Sequence, residues 1–79
     1  MRVETYSGYK ADEYPVRFWI DRTKPREVLE VEDRWYGPGR SYFKVFADDA
    51  GHYLLVHNNQ YGTWEGRRIQ ISGGREFFE

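Results

Sequence analysis

Residues 27–48 read EVLEVEDRWYGPGRSYFKVFAD. Apolar and polar residues alternate on both sides of Gly37-Pro38-Gly39, which is the period of a strand. Proline presets φ at the second position of a turn, and Gly39 can take the positive φ that a type II turn needs at the third. The stretch predicts two antiparallel strands, 27–36 and 41–48, joined by a tight hairpin. Alternation sends Leu29, Val31 and Trp35 to the core and leaves Val28, Glu30, Glu32, Arg34 and Tyr36 opposite. On the second arm Phe43 and Val45 face inward, while Tyr42, Lys44 and Phe46 face outward.

The pattern continues along the chain. Turn signals stand at YSGY (6–9), DRTKP (21–25), YGPG (36–39), DDAG (48–51), NNQYG (58–62) and SGG (72–74). Short runs rich in Val, Ile, Phe, Tyr and Trp separate them, which is the spacing of a small all-β barrel or sandwich. Strands are expected over 2–6, 15–21, 27–36, 41–48, 52–57 and 64–71. In PVRFWID, residues 15–21, Val16, Phe18 and Ile20 share one face and Arg17, Trp19 and Asp21 the other. A helix from Pro25 is opposed by the β-branched residues and the alternation, and a short helical turn is considered at 75–79. Core candidates are Val16, Phe18, Ile20, Leu29, Val31, Trp35, Phe43, Val45, Leu55, Trp64 and Ile69. The expected architecture is all-β: one domain over 1–79, a strongly bent antiparallel sheet of five or six strands in an SH3-like barrel or roll.

Composition bounds the rest. A chain of 79 residues buries a modest share of its surface, so stability rests on a few large side chains. It has 3 Trp, 7 Tyr and 5 Phe to supply them. Twelve Lys+Arg against 13 Asp+Glu leave a net charge of −1, too balanced for a general duplex binder that must neutralise phosphates. With no cysteine there is no disulfide framework, thiol nucleophile or cysteine-bound zinc. The absence of disulfides, of a signal-peptide pattern and of a long apolar run predicts a cytoplasmic protein without a membrane partner.

Adjacent aromatics recur: Phe18-Trp19, Trp35-Tyr36, Tyr42-Phe43 and Phe77-Phe78. Neighbours in a strand point to opposite faces, so one sheet face cannot bury both members of a pair. Either the chain's ends, with the Phe77-Phe78 tail, cover the outer face, or it meets a partner or a second copy. The expected binding cluster is Trp19, Tyr36, Tyr42, Lys44 and Phe46, with Arg34 and Arg40 beside it.

Catalytic chemistry finds little support. His52 and His57 are five apart and fall on opposite faces of one strand, so no metal site is expected. Asp48-Asp49-Ala50-Gly51 reads as a hairpin loop with Gly51 left-handed, and it lacks the ligand spacing of a calcium loop. Ser7, Ser41 and Ser72 lie in no nucleophile elbow, and no helix follows the glycines at 62–66 to make a phosphate loop. A domain this small is also expected to lack a deep pocket of about 300 Å³. No cofactor is predicted, and the chain reads as a non-enzyme.

PVRFWI (15–20), VLEVEDRWY (28–36), SYFKVF (41–46), GHYLL (51–55) and GTW (62–64) follow one another in an order that resembles a family of short bacterial all-β domains of unknown function. The pattern is P-x-R-F, V-x-D-R-W, Y-[YF]-x-V, a glycine-led strand and G-x-W, and it covers about residues 15–64. In that family a hydrophobic residue commonly stands two places beyond the final Trp. Here Gly66 stands there, so the last strand is expected to begin later or to bulge. The resemblance implies no activity. Some members are encoded near DNA-repair polymerase genes, which keeps a single-stranded nucleic-acid accessory protein of repair as the alternative. The leading expectation is a non-catalytic protein-interaction module, a monomer or weak homodimer, whose partner is a protein before it is nucleic acid.

Overall fold

The computed structural model describes residues 1–7, 13–22, 24–72 and 75–77. The turns expected at 6–9, 21–25 and 72–74 reach into residues outside this set, as does Phe78 of the tail. Seven strands follow one another: β1 (Arg2–Ser7), β2 (Glu13–Trp19), β3 (Arg26–Gly37), β4 (Arg40–Ala47), β5 (His52–Asn58), β6 (Thr63–Ser72) and β7 (Arg75–Phe77). Each pairs antiparallel with the next, in the order β1-β2-β3-β4-β5-β6-β7. The sheet curls into a half-barrel around one core. Over 75–77 the chain is strand β7, not the helical turn considered there.

The β3–β4 hairpin forms as expected, with Gly37 opposite Arg40 and Gly39 at φ 70°. Its first arm is not regular. Two bulges, between Val28 and Glu30 and between Val31 and Asp33, each insert a residue with no partner on β4. Each bulge resets the alternation, because two residues then oppose one. Val28 and Val31 both face inward, opposite Ala47 and Val45. Leu29 is exposed, and Trp35 pairs with Tyr42 on the outer face. Leu29 and Trp35 are therefore not core residues. Tyr36 changes sides for the same reason: it opposes Ser41, on the face away from Tyr42.

In β2, Val16 is the extra residue between the pairs Glu4–Arg17 and Thr5–Pro15. Pro15 sits beside that bulge, a place where a missing backbone donor is tolerated, and it is fully buried. Ile20 lies past the end of β2 and is exposed, so it too leaves the predicted core.

The core is Phe18, Phe43, Val45, Ala47, Tyr53 and Leu55, with Val3, Tyr14, Val28, Val31 and Trp64 packed around it. Phe18 meets Tyr53 edge-on at 4.9 Å, and Phe43 meets Trp64 at 5.8 Å. Each such pair adds about 0.5–1.5 kcal/mol beyond its buried area. Gly66 stays in register opposite Leu55, so β6 neither bulges nor starts late there.

The β4–β5 loop closes the lower end of the core. The Tyr53 hydroxyl donates to Asp49 Oδ2 at 2.5 Å, Arg26 Nε donates to the same oxygen at 3.1 Å, and the Gly51 amide donates to Oδ1 at 2.9 Å. Burial alone would push the Asp49 carboxyl up, but the hydrogen bonds from Tyr53, Gly51 and Arg26 together hold it below its ordinary value. Burial, then the bond to Asp49, pushes the Tyr53 phenol up. The left-handed residue of this loop is Ala50, at φ 63°, not Gly51. Gly51 is needed for space: a β-carbon there would stand 2.9 Å from both Asp49 Oδ1 and Tyr53 Cε1.

Candidate functional site

Strand register lays out the outer face of β3–β6 as rows. One row runs Trp35, Tyr42, Val56, Glu65; the next Asp33, Lys44, Leu54, Arg67; the third Glu30, Phe46, His52, Ile69. The rows differ in cover. Leu54 and Ile69 are 8% and 5% exposed, and Lys44 only 9%, whereas Trp35 is 37% exposed. No residue of the first row is buried, so the face is open at the end nearest the Pro38-Gly39 turn.

Trp35 and Tyr42 stack there with their rings 5.3 Å apart and 3° from parallel. Beside them an open trough of about 360 Å³ runs over β5. Leu54 and Val56 make its floor. Arg40 and Tyr42 of β4 form one wall, and Glu65 and Arg67 of β6 the other. Small floor residues between longer wall residues make the depression. A depression of this size was not expected in so short a chain.

The third row carries a polar pair. His52 Nδ1 lies 2.6 Å from Glu32 Oε1, and its ring stands 4.9 Å from Phe46. His57 faces the other way, 4.6 Å from Trp64. The two histidines thus lie on opposite sides of the sheet. Ser41 and His57 are cross-strand partners, but Ser41 Oγ donates to Asn59 Oδ1 at 3.3 Å, and His57 Nδ1 lies 2.9 Å from the same oxygen. The hydroxyl proton is directed at the amide and not at the imidazole. Among the described residues, no three His, Cys, Asp or Glu side chains come together to hold a metal, and no helix is long and apolar enough to cross a membrane.

Of the cluster expected from sequence, Tyr42, Lys44 and Phe46 share the outer face, and Arg40 lines the trough. Lys44 is not a free surface cation, because it is buried and engaged. Tyr36 and Arg34 oppose Ser41 and Phe43 and so belong to the other face. Trp19 is two strands from the trough. The Arg2 guanidinium lies over its ring at 4.5 Å. Beside it Arg17 bridges Glu4 and Glu27, each at 2.8 Å, so this patch is a closed lattice of charges. Arg67, considered beside Tyr42 and Phe46 as part of a basic cluster, does line the trough, whereas Trp35, Val56, Leu54 and Glu65 were missed as site residues. Leu54 and Leu55 are both apolar and hide which face β5 presents, and the bulges hide Trp35.

Charge on the outer face is mixed. Glu30, Glu32, Asp33 and Glu65 interleave with Arg40, Lys44 and Arg67. No family model matches the chain. No curated protein and no solved structure matches it either.

Proposed function

We propose that this chain is a non-catalytic protein-interaction module of the cytoplasm. Its site is the Trp35–Tyr42 pair with the adjoining trough. The observation that carries the reading is the company those rings keep. A stacked Trp and Tyr stand beside an apolar floor rimmed by Arg40, Arg67 and Glu65. Trp, Tyr and Arg are the residues that dominate binding energy at protein interfaces, and a polar rim around an apolar centre is ordinary interface anatomy. Its floor runs from Leu54 to Val56, about 7 Å at 3.3 Å per residue. That length suits an extended segment of about two or three residues with one apolar side chain over Val56. The interleaved carboxylates speak against phosphate backbones, whose affinity grows with cation excess.

A random-peptide library panned on the folded domain tests this. Peptides with a central apolar residue should be enriched, and Val56→Glu and Trp35→Ala should abolish their binding while leaving the circular dichroism spectrum intact. Enriched peptides that bind Val56→Glu as well as wild type would move the site elsewhere. Tight binding of oligo-dT at low salt, lost on adding salt and on Tyr42→Ala, would overturn the reading in favour of single-stranded nucleic acid.

A further inference from the structure

A half-barrel leaves a seam. In the pairings of the described residues β1 bonds only to β2, and β6 bonds to β5 and β7. No ladder joins β1 to β6. Side chains must hold that seam closed, and the structure shows one in place. A β-carbon on Gly66 would stand 2.7 Å from both Sδ and Cε of Met1, and 2.8 Å from Leu55 Cδ2. The Met1 thioether thus occupies the space that a side chain at position 66 would claim. It sits against the core-facing side of β6, next to a fully buried leucine. Val3, two residues along β1, packs on the same core as Trp64 of β6.

We propose that Met1 is an oxidation-sensitive latch that fastens β1 to β6 across this seam. Three observations support the sensitivity as well as the latch. Met1 is the only sulfur-bearing residue of the chain, which has one Met and no Cys. It is 45% exposed, so a small oxidant can reach it. The seat, over Gly66 and beside Leu55, is apolar, so a polar sulfoxide fits it less well than the thioether. The reaction is a two-electron oxygen transfer from a hydroperoxide. The sulfur lone pair attacks the peroxide oxygen, the O–O bond breaks, and the oxygen stays on sulfur as a sulfoxide. With hydrogen peroxide the other oxygen leaves as water. A flexible apolar thioether becomes a polar, bulkier group unsuited to that seat, and methionine sulfoxide reductases reverse the change.

The test uses the full chain in three forms: as made, treated with hydrogen peroxide, and carrying norleucine in place of Met1. Norleucine keeps the shape and cannot form a sulfoxide. Intact mass establishes that residue 1 is retained and reports the added oxygen. Amide exchange read by mass spectrometry should be severalfold faster over residues 2–7 in the oxidised protein, with β4 and β5 unchanged. The norleucine form should exchange as slowly as the untreated protein before and after peroxide, and sulfoxide reductase should restore the oxidised one. Gly66→Ala should evict the thioether, so that β1 exchanges fast from the outset and oxidation adds nothing. Oxidised protein with unchanged β1 exchange would overturn the latch. So would a Met1 that resists peroxide while free methionine reacts.

Discussion

At the residue scale, position in the pleat decides what a large side chain is for. Phe18 is fully buried and meets Tyr53 edge-on. Phe18→Ala should cost about 3–5 kcal/mol, the range for a core aromatic. Trp35→Ala should cost about 1 kcal/mol, because it loses one stacked pair on the outer face and leaves no cavity. Urea midpoints would separate the two, and equal losses would return Trp35 to the core. The β4–β5 loop offers a second contrast. Ala50 holds a left-handed φ of 63° that costs a non-glycine residue about 1–2 kcal/mol. Ala50→Gly removes that strain but frees the unfolded chain, for a net gain of about 0.5–1 kcal/mol. Gly51→Ala should lose about 1–3 kcal/mol as an overpacked site, since its new carbon would press on Asp49 and Tyr53. A glycine in a loop is usually read as a left-handed residue, and here that reading picks the wrong neighbour. Sequence carries turn geometry well and side-chain crowding poorly.

At the element scale, what was legible depended on regularity. β4 alternates without interruption, so Phe43, Val45, Tyr42 and Phe46 could be sorted by counting. β3 alternates as well, but a bulge adds a residue without leaving a compositional mark: the bulge at Leu29 put Val28 and Leu29 on the wrong faces, and counting from Val31 past Glu32 did the same for Trp35 and Tyr36. β5 could not be sorted alone because Leu54 and Leu55 are both apolar; pairing of Leu55 with Gly66 and Phe43 decides it. The trough was hidden with it, since its floor is the other face of that strand. The bulges predict an unusual tolerance. Leu29 has no partner on β4, so its deletion leaves every other pair intact and should preserve a cooperative guanidinium transition. Deletion of Arg34, which pairs with Phe43, would slide the rest of β3 by one position and reverse its faces. That variant should lose the cooperative transition. The opposite ranking would mean that the bulges are not where the register places them.

At the scale of the whole molecule, the loop network sets the pH range. The Asp49 carboxyl is held below its ordinary value in the fold. Its contribution is therefore full above the unfolded carboxylate pKa of about 4 and is lost as pH falls through the lower folded value. Tyr53 is pushed the other way. Its contribution is full below the unfolded phenol pKa of about 10 and is lost as pH rises through the higher folded value. Thermal melts should show the network intact between these limits, with a shallower acid limb in Asp49→Asn and a shallower alkaline limb in Tyr53→Phe. Unchanged limbs in both variants would remove the network from the pH response. The strand order has a kinetic consequence as well. Because every strand bonds to its neighbour in sequence, each ladder closes over a short loop, and no distant segments must meet before the next pair can form. Most all-β folds wait on such meetings, and their rates suffer for it. This sheet can instead grow outward from the β3–β4 hairpin, a hairpin being a microsecond event. Refolding should sit at the fast end for an all-β domain, and a stopped-flow chevron whose folding limb extrapolates to well under about one per second would argue against growth from that hairpin.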